Sequence, residues 1–317
     1  MKNISWRIEL GDYDLQVVEE VTITKSVSSL TDTAVIKLPV SVLNKALTLN
    51  DKLKRGDKVA VYLGYDADLV KEFEGYLEHI QINQDGISVE CEDAMFLFRK
   101  SVQNKTHKAI SVKGIVQLLI RELGLSLSVN CTYEMNYEKF IINDAQGFDV
   151  LTKIQEDTKA NIYIRDNSIY IEPSYLSKAG EVVYDFARNI ENGNLTWKRA
   201  EDRKVQIEVS CTSPAGKVLK ATKGVTGGER ITRTMGSNFN QSALQKIAEE
   251  ELKRYQYAGY EGTITAWLVP VVEPSYSAII YDDDYPERAG TYYVEAVETK
   301  VSESGGVRTI TIGRKLN

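Results

Sequence analysis

The sequence predicts an α+β, mainly β protein, and three observations carry that prediction. Apolar and polar residues alternate at period two through the first hundred residues and again from Glu261 onward. Helical spacing is confined to the middle of the chain and to one later stretch. Eighteen tyrosines stand against seven phenylalanines, the balance expected of half-buried strand faces. At 317 residues the chain is long for one domain and points to two or three. With 43% hydrophobic and 26% charged residues it has the apolar content for real cores, which excludes disorder as a description of the whole.

Residues 1–100 read as strands. Val21, Ile23, Lys25 and Val27 share one face against Thr22, Thr24 and Ser26, and Ala34, Ile36 and Leu38 follow before Pro39 ends the run. Val59, Val61, Leu63 and Tyr65 alternate with Lys58, Ala60, Tyr62 and Gly64. Phe73 to Ile80 reads as a strand bent at Gly75, where a glycine suggests a bulge. Asp85-Gly86 then turns the chain into Ile87, Val89 and Cys91. Five or six short antiparallel strands of this kind make a small barrel or sandwich.

Residues 101–178 read as a small α/β module. Ser111 N-caps a helix bearing Val112, Ile115, Val116, Leu119, Ile120 and Leu123, and Gly124 is its C-cap. A second helix runs from Gly147 to Lys159 with Phe148, Leu151 and Ile154 on one side and Asn161 as its stop. Ile162 to Arg165 and Ile169 to Glu172 form a hairpin turned at Asp166-Asn167-Ser168.

Residues 179–317 return to strands at Val182 to Phe186, Leu195 to Lys198, Lys204 to Ser210 and Glu229 to Met235. One helix interrupts them, with Leu244, Ile247, Ala248, Leu252 and Tyr255 opposite Glu249, Glu250 and Lys253. Tyr292 to Val301 and Val307 to Gly313 close the chain across Ser304-Gly305-Gly306. Tyr76-Leu77-Glu78-His79-Ile80 is echoed by Tyr293-Val294-Glu295-Ala296-Val297, each leading through a polar turn into an alternating strand. The echo suggests that a strand group occurs twice.

The charge balance excludes some function classes. Lys plus Arg number 39 against 45 Asp plus Glu, with no polybasic run, so specific or tight generic nucleic-acid binding is not expected. No apolar stretch approaches the ~18 residues of a membrane span, and Met1 to Arg7 is no leader. Stable membrane association is therefore not expected, and the cytoplasm is where the chain is expected to be made and kept. Cys91, Cys131 and Cys211 are odd in number and widely spaced, which indicates neither disulfides nor zinc.

The residues that could carry chemistry read as structural. His79 belongs to a strand face and His107 to a loop, and neither has a second ligand at metal spacing or a nucleophile beside it. Cys91 shares the face of Ile87 and Val89 and is expected to be a buried thiol. Asp282-Asp283-Asp284 lacks the glycine and terminal glutamate of a calcium loop and reads as a solvated loop. Gly224 to Gly228 and Pro214 to Lys217 lack the Gly-Lys-Ser/Thr of a phosphate cradle and read as hairpin turns. Nothing in the placement of the 45 acidic residues suggests a cell-wall-cleaving glycoside hydrolase site. Catalytic, cofactor and metal sites are thus all assigned as none.

Three stretches resemble the baseplate hub proteins of contractile-tailed phages, the late control gene D family, whose relatives include the Mu-like tail hub and the hub part of type VI secretion spikes. The first is Gly56-Asp57-Lys58-Val59-Ala60-Val61 with Phe73-Glu74-Gly75-Tyr76-Leu77 and Val89-Glu90-Cys91-Glu92-Asp93. The second is Gly147-Phe148-Asp149-Val150-Leu151 leading to Ala160-Asn161-Ile162-Tyr163-Ile164. The third is Ala289-Gly290-Thr291-Tyr292-Tyr293-Val294 with Gly305-Gly306-Val307-Arg308 and Gly313-Arg314-Lys315-Leu316. The chain departs from the family between Pro270 and Pro286, where Val271 to Tyr276 replaces a glycine-led strand.

The resemblance implies two tail-tube-like antiparallel β-barrels with the α/β module between them. It implies a structural protein of the virion tail baseplate, a homotrimer that meets a trimeric spike below and a hexameric tail tube above. Other baseplate proteins and the tape measure are the further partners it implies. Two readings rival it. A tail-associated cell-wall hydrolase needs a catalytic pair in a cleft, and a carbohydrate-binding β-sandwich needs an aromatic platform, for which Trp6, Trp197 and Trp267 are too scattered.

Overall fold

The computed structural model describes residues 3–15, 17–39, 53–83, 86–132, 136–158, 160–165, 167–173, 180–212, 217–235 and 241–316. Its first part is the strand group β1 (Ile4–Leu10), β2 (Tyr13–Leu15), β3 (Glu20–Ser26), β4 (Thr33–Pro39), β5 (Lys58–Tyr65), β6 (Asp68–Asn83) and β7 (Gly86–Glu92). They lie in the order β3-β4-β7-β6-β5-β1-β2. The alternating residues of β3, β4 and β5 fall on the inner face as expected, where Ile23, Ile36, Val61 and Leu63 are almost wholly enclosed. Sequence reading missed β1 and β2; Ile8 and Leu10 of β1 are fully buried in that core.

The middle part holds β8 (Lys105–Ser111), α1 (Val112–Glu122), β9 (Ser128–Cys131), β10 (Asn136–Ile142), α2 (Gly147–Thr158), β11 (Ala160–Arg165) and β12 (Ser168–Pro173). The Ser111 hydroxyl accepts a hydrogen bond from the Gly114 amide at 3.0 Å, so the expected N-cap is real. Gly124 adopts φ +65° as the Leu125 amide bonds back to the Ile120 carbonyl, the closure that lets a glycine end a helix. Both helices pack on the β11-β12-β9 sheet, and Met95 and Phe98 from the first part join the same core. Two expectations need correction. Asn161 lies inside β11 and does not stop α2, which ends at Thr158, where its hydroxyl bonds back to the Ile154 carbonyl. His107 lies in β8 opposite Phe140, not in a loop.

The last part holds β13 (Glu181–Asp185), β14 (Ile190–Lys198), β15 (Val205–Thr212), β16 (Val218–Gly224), β17 (Glu229–Met235), α3 (Gln241–Tyr255), β18 (Gly259–Trp267), β19 (Ser277–Tyr281), β20 (Gly290–Ser302) and β21 (Gly305–Lys315). Residues 205–255 form a separate unit in which α3 lays Leu244 and Ala248 on the β16-β15-β17 sheet. There β17 runs parallel to β15, on the opposite edge from β16. Gly224 to Gly228 therefore crosses from one edge of β15 to the other and is not a hairpin turn; of Pro214 to Lys217, residues 214–216 lie outside the described residues. The departure noted between Pro270 and Pro286 contains the strand β19.

The remaining strands repeat the first group. The antiparallel order β3-β4-β7-β6-β5 recurs as β14-β18-β21-β20-β19, with each strand in the corresponding place along the chain. The echoed pentapeptides occupy the same structural position. Glu78 is the extra residue between the pairs Leu77↔Cys91 and His79↔Glu90, and Glu295 is the extra residue between Val294↔Ile312 and Ala296↔Thr311. Both groups have their own core, the second around Ile264, Ile280, Val294 and Ile310. They diverge at the sixth strand, since β1 runs antiparallel to β5 but β13 runs parallel to β19. Among the described residues no pairing closes either group on itself. Instead β20 pairs with β3 as well as β21, which joins both groups into one thirteen-stranded sheet.

Gly75 is not a bulge, because it pairs regularly with Val59. Its glycine is required by close approach: a Cβ there would stand 2.1 Å from the Glu92 carbonyl oxygen. Gly75→Ala must push β7 away from β6, and we expect a loss of about 2 kcal/mol or more in urea unfolding. An unchanged midpoint would show that the two strands are not packed this closely.

Candidate functional site

The two strand groups meet along a seam between β3 and β20. It begins with backbone. β3 is short and β-branched, and its seven residues pair with β20 from Ala296↔Ser26 to Ser302↔Glu20. The Val27 amide extends the seam to the Glu295 carbonyl at 3.0 Å. Glu20 then reaches Lys300 across the seam at 2.7 Å and Lys37 at 2.9 Å, and these two cations hold its carboxyl below the usual range.

Behind the seam lies a buried ion pair. Regular alternation would turn Glu72 outward with Glu74, but β6 bulges between Phe73↔Val61 and Lys71↔Tyr62 and leaves Glu72 over. Glu72 and Phe73 consequently both face inward, at 3% and 4% exposure. Arg308 of β21 comes from the other group at 1% exposure, on the same face as Ile310 and Ile312. Its strand neighbours are the small Ala266 and Thr299, which leave room for the guanidinium. The fork donates from Nε to the Leu268 carbonyl at 2.7 Å, and from Nη1 to Glu72 Oε2 and Thr299 Oγ1, both at 2.9 Å. Nη2 completes a bidentate contact with Glu72 Oε1.

A second ion pair crosses at the other end, where Lys25 Nζ meets both Glu273 oxygens at 2.7 and 2.9 Å. It borders a cavity of about 410 Å3 where all three parts of the chain meet, lined among others by Asp32, Asp93, Tyr163 and Arg165. Burial pushes the Asp32 carboxyl up to about 7, aided by the charge of Asp93. Burial likewise raises Asp93 to about 6, although it accepts hydrogen bonds from the Met95 amide and the Thr31 hydroxyl.

The residues weighed for chemistry are not brought together. His79 is exposed on β6, and Cys91 is enclosed in the first core, where burial pushes its thiol up to about 12. Among the described residues no three His, Cys, Asp or Glu side chains are placed to hold a metal. The aspartate run is only partly solvated. Asp282 is buried, accepts from the Tyr260 hydroxyl, and caps the turn by accepting from the amides of Asp284 and Tyr285. Trp6, Trp197 and Trp267 lie on three different strands, and among the described residues only Trp197 joins an aromatic cluster, edge-on to Tyr260.

Solved structures share this fold. A tail protein from Neisseria meningitidis superposes with a TM-score of 0.66 at 15% identity, covering 99% of this chain and 97% of its own. The fold is that of phage tail proteins. The 43 kDa tail protein of prophage MuSo2 from Shewanella oneidensis gives 0.65 at 13% identity, covering 99% and 98% of the two chains. An E. coli type VI secretion component, itself described as similar to the T4 tail proteins gp27 and gp5, gives 0.60 at 13% identity and covers 97% and 76%. No protein-family model and no curated protein sequence matches the chain.

Two predictions follow from the seam of this tail-protein fold. Arg308→Met strands a buried carboxylate and should cost about 3–5 kcal/mol in denaturant unfolding, whereas Arg308→Met combined with Glu72→Leu should recover most of it. Equal losses in the single and double variants would mean that the pair is not coupled. The second concerns pH. Asp32 and Asp93 bind protons more tightly folded than unfolded, so stability should fall as pH rises from about 4 to 7. Asp32→Asn should flatten that slope in urea titrations across this range, and a slope left unaltered would place the titration elsewhere.

Proposed function

We propose that this chain is a structural hub of a phage tail baseplate or a related contractile injection machine, and not an enzyme. The observation that carries the reading is the duplicated strand order within one chain. A hexameric tube above and a trimeric spike below require a part that offers six similar surfaces one way and three the other. Three copies with two strand groups each supply six such units around a channel, and cyclic symmetry closes the ring. In this reading residues 1–100 and 179–317 are the two tube-like units, and residues 101–178 form the module that adds contact area beside them.

The trimeric spike, the tail tube, other baseplate proteins and the tape measure are the partners proposed, and the virion tail baseplate is the location. The net charge of −6 per copy suits a channel wall that repels passing DNA. The carboxylates that share a cavity, Asp32 and Asp93, are tied to the Ser26 and Met95 amides and the Thr31 hydroxyl, which suits a structural role better than a cell-wall hydrolase. Among the described residues Trp6, Trp197 and Trp267 form no shared platform for a carbohydrate.

Co-expression with the spike encoded by the same element tests the proposal. The expected product is a complex holding three copies of this 35.6 kDa chain per spike trimer by native mass spectrometry. Recovery of the chain as a monomer that never joins the spike would refute the hub reading, and turnover of peptidoglycan by the isolated chain would refute the structural one.

A further inference from the structure

The seam between the two strand groups is used once within the chain, yet the duplicated topology supplies the parts for it twice. β20 bonds β21 on one side, while its other side bonds β19 near the start and β3 from Ala296 onward. β6 is built the same way, with β7 on one side and β5 on the other as far as Tyr76. Among the described residues nothing pairs with β6 from His79 to Asn83 on that second side. The other half of the missing seam is also present. β14 corresponds to β3, pairs with β18 on one side, and carries no partner strand on its other side among the described residues.

Burial shows that the seam is incomplete in one chain. In the intact seam Val297 and Thr299 of β20 are each 2% exposed, and they face Lys25 and Ile23. Their counterparts on β6 are Ile80 and Ile82, and Ile82 is 45% exposed. On the opposite side Ile23 is 1% exposed, whereas its counterpart Leu195 and the neighbouring Trp197 are only partly covered. An isoleucine left open at an unpaired strand edge invites another strand, and the strand of matching parity within this same sequence is β14.

We infer that β14 of one copy pairs antiparallel with β6 of a second copy, placing Ile80 opposite Trp197, Gln81 opposite Thr196 and Ile82 opposite Leu195. The register follows from the pairs within the chain. Ile36↔Val89 corresponds to Ile264↔Ile310, which makes Val21 the counterpart of Gly193 and Ile23 that of Leu195. The seam pairs Thr299↔Ile23 and Val297↔Lys25 then become Ile82↔Leu195 and Ile80↔Trp197. The inference rests on the trimeric reading only for the number of copies; the pairing itself comes from the repeat. It also separates the two kinds of seam chemically. Counterparts of Lys25 and Arg308 are Trp197 and Ile87, so the seam between copies is apolar where the one within the chain is ionic.

Disulfide trapping tests the register. Full-length chains carrying Gln81→Cys and Thr196→Cys should oxidise to covalent dimers and trimers in several-fold higher yield than the off-register pair Gln81→Cys and Asn194→Cys. Single-cysteine variants give the background from Cys91, Cys131 and Cys211. Ile82→Asp, with its fold checked by circular dichroism, should shift the native mass to the monomer. Trimers that resist Ile82→Asp and fail to crosslink in register overturn this pairing and leave the hub reading standing. A chain that stays monomeric at every concentration and with its spike overturns both.

Discussion

Everything in this molecule depends on the need to satisfy the backbone of β20 on both sides. A strand in the middle of a sheet must give each amide and carbonyl a partner, and β20 finds one set in its own hairpin and the other in β3, some 270 residues earlier. That pairing fixes the angle and register of the two strand groups together. The Arg308–Glu72 and Lys25–Glu273 pairs could not form without it, because each takes one member from either side. Buried ion pairs add little net stability, since desolvation offsets most of the attraction, but a mismatched register would leave two charges unpaired in the interior.

The bulges have a comparable role. A strand has two faces, and a one-residue slip exchanges them. At Glu72 the extra residue turns a carboxylate toward the interior at the one place where an arginine arrives to meet it. At Glu78 an extra residue bends β6 where its pairing with β5 ends, and at Glu295 one bends β20 where its partner on one side changes from β19 to β3. This change of partner lets a single strand belong both to its own group and to the seam.

The divergence between the halves is as informative as their likeness. The second group carries the inserted sheet and α3 between β14 and β18, and its sixth strand is reversed relative to β1. Under the proposed hub reading, a ring of such chains presents two alternating kinds of unit, which suits a part joining sixfold to threefold order.

Much of this was legible in the sequence because strand faces and helix stripes are local. The parity of Val21, Ile23 and Lys25, the Ser111 cap and the tyrosine-glutamate echo at residues 76 and 293 depend only on neighbouring residues, and each has its expected place in the fold. Reading period alone missed β1 and β19 and put the bulge at Gly75, since a bulge is set by the partner strand and not by the bent one. Arg308 shares the parity of Ile310 and Ile312, yet no local rule says that an arginine on a core face has a carboxylate waiting 236 positions away. The sequence by itself determined the α+β, mainly β class and which residues turn inward. Only the tertiary structure decided which strand edges are joined and which stay free, because backbone edges are chemically identical along every strand and are distinguished by geometry alone.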